Sequence, residues 1–182
     1  MPSRARDVLL EVASRGVYRP LWSSEILVEL DRTLRYLQAK RGTAEEATNA
    51  YLARLFRQMG MAFPDALVTD WESLVDTIHL PDPCDRHVVA AARAGRAEVI
   101  VTNNLKDFPA DALPAPLVRQ SLDDFMLDTF DLHPDEVVSA LHVVARRTGR
   151  SGPAMTAADI AALLRASGAP LVSARLLARL RQ

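Results

Sequence analysis

Cysteine is nearly absent from this 182-residue chain: Cys84 is the one thiol, which excludes an internal disulfide and points to a reducing compartment. Glycine is scarce, and none of the seven falls in a G-x-x-x-x-G-K arrangement, so a phosphate-cradling loop of that kind is excluded. No apolar run approaches the roughly 18 residues needed to span a bilayer, and no charged-then-apolar leader opens the chain. A soluble, cytoplasmic protein with no membrane association is therefore expected. The histidines His79, His87, His133 and His142 show no ligand spacing to one another or to Cys84, which argues against zinc. Excess charge of one sign is lacking too. A formal net charge of -1 argues against a surface coated for non-specific DNA binding.

What the chain does have is core-forming material. At 49% hydrophobic and 25% charged residues it has the make-up of a globular protein. Its length suits one domain with a helical annex, here expected as a domain over residues 1–130 and a helical extension over 131–182 packed on it. The near-neutral total conceals an acidic middle, Asp65 to Asp85, and a last third studded with Arg146, Arg147, Arg150, Arg165, Arg175, Arg179 and Arg181. Beside Leu171, Leu176, Leu177 and Leu180, those arginines read as the wet face of a docked helix or as a grip on RNA phosphates.

Hydrophobic periodicity predicts a helix from about Ala5 to Ser14, ended by Gly16, and a short strand over Val17–Trp22 broken by Pro20. Ser23 or Ser24 caps a second helix with the apolar stripe Ile26, Leu27, Leu30, Leu34, Leu37. Thr43 and Glu46 carry a capping-box pattern for a third helix, closed by Pro64. Residues 74–80 read as either a strand or a short helix. Pro81, Asp82 and Pro83 form a turn into a small-residue helix that Gly95 ends, and Glu98–Thr102 is a β-branched strand. From Ser121 onward four helical segments follow, with a break at Gly149–Pro153. Helix, strand and then a polar loop is the grammar of a parallel α/β sheet, in which ligands bind beyond the carboxyl ends of the strands. The loop Asn103–Asp107 is therefore a place to look for chemistry.

Acidic residues stand at or near element ends. Glu29 lies inside a helix beside Val28 and Leu30, Asp85 opens the small-residue helix, and Asn104 and Asp107 follow the buried strand. Carboxylates converging from separate elements repel one another, so placing them together makes sense when a cation neutralises them. An oxygen-rich set of this kind suits Mg²⁺ or Mn²⁺, and hydrolysis of a phosphodiester is the matching reaction. Each acid also has a purely structural reading. Asp85 can be a capping acid favoured by the helix dipole, Glu29 a solvated helix residue, and Asp107, before Phe108–Pro109, a turn former. His87 reads as a helix-packing histidine or a residue touching RNA, and Cys84 as a small helix-entry residue.

Three separated strings, WSSEILVEL, LPDPCDRHVVAAARAG and EVIVTNNLKDFP, together with DDFMLDTF after a final strand, resemble the PIN-domain family. They match in order and spacing its branch of bacterial toxin–antitoxin ribonucleases with a helical C-terminal extension. The resemblance implies an α/β fold, a PIN-like parallel sheet flanked by helices with a helical C-terminal tail. It implies a Mg²⁺- or Mn²⁺-dependent endoribonuclease, with RNA as substrate and a small antitoxin protein as partner, in a homodimer or hetero-oligomer. Carried over by position, it makes Glu29 and Asp85 metal-binding acids, completed from the loop by Asn104 or Asp107; Arg86, Arg93 and Lys106 are the phosphate candidates. Thr102 and Asn104 fall where the family often has T-x-D, and a neutral amide holds a divalent cation less well than a carboxylate. The family also usually opens with a buried strand bearing an Asp, whereas this chain begins MPSRARDVLLEVA, and Asp7 sits at a helix start instead. A misplaced or truncated start, a split domain, or a catalytically inactive relative would each account for this. The expectation is a fold incomplete at its N-terminus, with a partner chain supplying that strand, because an open sheet edge is costly.

Overall fold

The computed structural model describes residues 3–149 and 153–181, so residues 150–152, within the expected break, lie outside the described residues. The chain divides into two compact units, one built from residues 1–19, 101–106 and 119–182, the other from residues 20–100 and 107–118. Each has its own apolar core. The fold is helix-rich α/β with a helical C-terminal region.

The first unit is a helical bundle of α1 (Ser3–Ala13), α5 (Leu122–Leu132), α6 (Pro134–Arg146), α7 (Ala157–Ala166) and α8 (Pro170–Arg179). Local chemistry sets the ends of these helices. Pro134 and Pro170 occupy first-turn positions, where a missing N–H costs nothing. Ser121 accepts from the Asp124 N–H, and Thr156 with Asp159 forms a reciprocal capping box. Val8, Leu122, Met126, Leu141, Ile160, Leu164 and Leu176 are fully enclosed where the helices meet. The basic residues of α8 lie on its wet face, with Arg175 paired to Asp131 and Arg179 to Asp135, as helical spacing predicted. Helix α8 has no cap of its own. Its Leu171 and Val172 N–H groups both donate to the buried carboxylate of Asp123, at 2.9 Å each.

Asn103 ties the same unit together by accepting from the Leu122 N–H and donating to the Ser167 carbonyl. Gly168, at φ +89°, follows directly. A Cβ there would lie 2.5 Å from the Asn103 amide nitrogen, which its own hydrogen bonds hold in place. Gly168→Ala is therefore expected to lower stability by about 2 kcal/mol, from the left-handed backbone and the clash together. A urea melt of the two proteins measures it, and an unchanged midpoint would contradict the argument.

The second unit contains α2 (Ser24–Lys40), α3 (Glu45–Ala62), the 3₁₀ segments Glu72–Thr77 and Pro83–Asp85, and α4 (Arg86–Ala94). Val89, Ala90, Ala91 and Ala92, successive round α4, are all buried in a core that includes Trp71, Ile78, Leu80, Ile100 and Phe108. The small side chains allow close approach, and Gly95 continues it: a Cβ there would meet Val68 at 2.8 Å and Leu21 at 2.9 Å. Strands β1 (Val99–Val101) and β2 (Val118–Gln120) pair in parallel, through Val118 N–H to Glu98 O and Thr102 N–H to Gln120 O.

Two local expectations are corrected. Val17–Trp22 is not a strand; Trp22 alone forms a parallel bridge, with Leu67, and Pro20 has no N–H to offer a ladder. The Thr43–Glu46 capping box does not form either. The short connection folds Thr43 back onto the end of α2, where its hydroxyl donates to Gln38, and α3 starts from Ala44 without a side-chain cap. Residues 74–80, open between strand and helix in the sequence, lie partly in the 3₁₀ segment Glu72–Thr77. Among the described residues no helix is long and apolar enough to cross a membrane.

Candidate active site

Glu29, Asp85 and Asp107 all belong to the second unit. Ser23 starts α2 by accepting from the Ile26 N–H, which sets Glu29 on the second turn of that helix. Asp82 accepts from the Cys84 N–H at 2.8 Å, and with Pro83 this closes the 3₁₀ turn that leads into α4. Asp85 then occupies the position that caps α4, yet its side chain makes no cap hydrogen bond. The capping acid of this turn is Asp82, so the carboxylate of Asp85 is left available for something else. Asp107 ends a 3₁₀ turn immediately before the buried Phe108.

Electrostatics links these acids. Burial pushes the Asp85 carboxyl above the ordinary carboxylate range, and the charges of Asp82, Asp107 and Glu29 push it further, against a smaller opposing pull from His87. The charge of Asp82 pushes the Cys84 thiol up as well, which disfavours the thiolate. His87 is buried, with its ring packed edge-on to Trp71 at 6.1 Å between centroids, and its Nε2 lies 3.3 Å from Glu29 Oε1. It is thus more than a packing residue. Sequence reasoning put Asp82 in the turn and read His87 as a packing or RNA-touching residue, but it gave Asp82 no capping role and did not pair His87 with Glu29. The Asp-Pro pair before a helix was the available signal for the first, and nothing short of the fold could have paired His87 with Glu29.

The remaining candidates are dispersed. Arg86 is half-buried at the start of α4, with its Nε enclosed and lacking a hydrogen-bond partner. Arg93 is exposed and donates to the Thr77 hydroxyl at 3.1 Å. Asn104 and Lys106 are exposed residues of the first unit, in a loop held by the Asn104 N–H donating to Thr102 Oγ1 and by Arg119 donating to the Leu105 carbonyl.

The donor chemistry fits a hard divalent cation. Oxygen donors predominate, and Asp85 carries a charge its surroundings disfavour until a cation offsets it. Among the described residues, however, no three His, Cys, Asp or Glu side chains converge into a group that could hold an ion.

The PIN-domain family model matches residues 1–106, and a second model, the VapC50 C-terminal domain, matches residues 122–178. A protein of Mycobacterium tuberculosis (strain ATCC 25618 / H37Rv) named "Putative ribonuclease VapC50" is 58% identical over 52 residues. That stretch covers 28% of this chain and 31% of the relative. No solved structure matches the chain.

Proposed function

The chain belongs to the PIN-domain family, and from that premise we propose that it is a metal-dependent endoribonuclease, the toxin component of a toxin–antitoxin pair. The observation that carries this reading is the mutual repulsion of Asp85 with Asp82, Asp107 and Glu29 at the mouth of α4, in a turn whose capping is done by another residue. Glu29, Asp85 and Asp107 are the residues that would supply carboxylate ligands to the cation, Mg²⁺ or Mn²⁺. When bound, such an ion supplies Lewis acidity to activate water and charge to offset the phosphodiester. The rest of the work falls to the chain. Arg86 and Arg93 attract the RNA backbone, and His87 steadies Glu29. The roles of Asn104 and Lys106 rest on the sequence motif. An antitoxin protein is the expected partner, in a homodimer or a larger hetero-oligomer.

One observation favours a second reading, an inactive or split PIN-like module that binds with a partner chain and does not cleave: no three-ligand group is formed among the described residues. The test is to incubate the purified chain with structured RNA and Mn²⁺ or Mg²⁺, beside Asp85→Ala. Cleavage that requires the metal and disappears in the variant is the expected result. Intact RNA in both samples would favour the binding module.

A further inference from the structure

His87 faces Glu29 from a position in which its ring has little freedom. Its Nδ1 is enclosed and has no hydrogen-bond partner among the described residues, while Nε2 faces Glu29 Oε1 at 3.3 Å. A neutral imidazole carries one proton, and only on Nε2 does that proton meet an acceptor, so the geometry selects the Nε2–H tautomer. The ring is fixed by burial and by its edge-on contact with Trp71, and α4 carries it into the second unit's core. Glu29 is otherwise a half-exposed side chain on one face of a helix, with several rotamers open to it.

We propose that His87 is a positioning residue: it orients the Glu29 carboxylate for a divalent cation through Nε2–H, and is itself held by Trp71. The inference rests on the reading of Glu29 as a cation ligand. A hydrogen bond that orders a metal-binding carboxylate typically changes metal affinity by 10- to 100-fold. Trp71 then acts at one remove, as the wall that keeps the ring from turning.

Titration of the full chain with Mn²⁺ alone, followed by calorimetry, tests this without requiring RNA cleavage. His87→Leu keeps an apolar side chain against Trp71 and removes the donor; it should weaken Mn²⁺ binding about tenfold. His87→Gln, whose amide N–H reaches a similar position, should restore most of that loss. In a Glu29→Gln background, His87→Leu should produce no further weakening, because the group it orients has gone. A purely structural His87 would instead give equal losses in both backgrounds and no rescue by glutamine, and that pattern would overturn the proposal. Mn²⁺ affinity unchanged in His87→Leu, with Glu29→Gln weakened, would also overturn it and leave the ligand reading standing. If Glu29→Gln itself binds as tightly as the unmodified chain, the ligand reading fails as well.

Discussion

Asp85→Asn should move activity and stability in opposite directions. The amide preserves the shape of the carboxylate and removes its charge, so RNA cleavage should fall by at least about 100-fold if this group holds the cation. Without metal, the same variant should melt at a higher temperature than the unmodified chain. The reason lies in what surrounds the carboxylate: it is partly buried, and Asp82, Asp107 and Glu29 all disfavour its ionised form. Its folded-state pKa lies above its unfolded value, so the folded chain binds this proton more tightly than the unfolded chain does. Ionised Asp85 therefore costs stability above the folded pKa. The cost is relieved as pH falls from there towards the unfolded value of about 3.9. The thermal advantage of Asp85→Asn should be largest near neutral pH and vanish across that window. Added Mn²⁺ should reverse the order, since a ligand that binds only the folded state stabilises it by mass action. A metal-free variant that melts no higher than its parent at neutral pH would mean that the repulsion is relaxed by solvent.

The second large effect concerns Asp123, which no functional reading involves. Its two carboxylate oxygens take the N–H groups of Leu171 and Val172 in the first turn of α8, and the residue is 7% exposed. Ala169, in the capping position, offers no side-chain acceptor. Asp123→Ala would leave two backbone donors unpaired, that of the fully buried Val172 enclosed and that of Leu171 partly so. Hydrogen bonds to a charged acceptor contribute about 1.5–3 kcal/mol each, and their loss is partly offset by relaxation and water entry, so a net loss of about 3 kcal/mol is expected. For a chain of this size that lowers the melting temperature by roughly 6–12 °C. Asp123→Asn keeps one acceptor and should fall between. A melting temperature within 2 °C or so of the parent in Asp123→Ala would show that water replaces the carboxylate at little cost.

The contrast between these two aspartates shows what the chain discloses by itself. Helix positions followed from local rules: Ser23 as the cap of α2, and an apolar stripe in α1 whose Val8, Val12 and Ala13 are buried, whereas the stripe of α2 buries Leu34 alone. The parallel strand pair and the helical C-terminal region were legible for the same reason. The capping box at Thr43 misled because Gln38, five residues earlier, competes for the same hydroxyl, and a local motif has no means of declaring a competitor. Asp123 was invisible as a cap because the amides it serves lie 48 and 49 residues downstream. At the candidate site, residue types and chain order placed Glu29, Asp85 and Asp107 under suspicion, and all three lie in one unit. That Asp82 takes the capping role, and that His87 turns to Glu29 58 residues away, depended on long-range packing.

The make-up of the first unit bears on how the protein is born. Helix α1 packs on α6 and α7, yet it is translated before them by more than a hundred residues. At about 5–20 residues per second, its apolar face, Val8 and Val12 included, waits roughly 6–25 s for α6 to be made. During that time the helix is too short to be stable alone, and no local partner can cover it. The contacts that finally enclose it span most of the chain, which makes the closing of this unit a late event dominated by loop entropy. A nascent chain stalled before α6 would therefore offer α1 to chaperones or proteases.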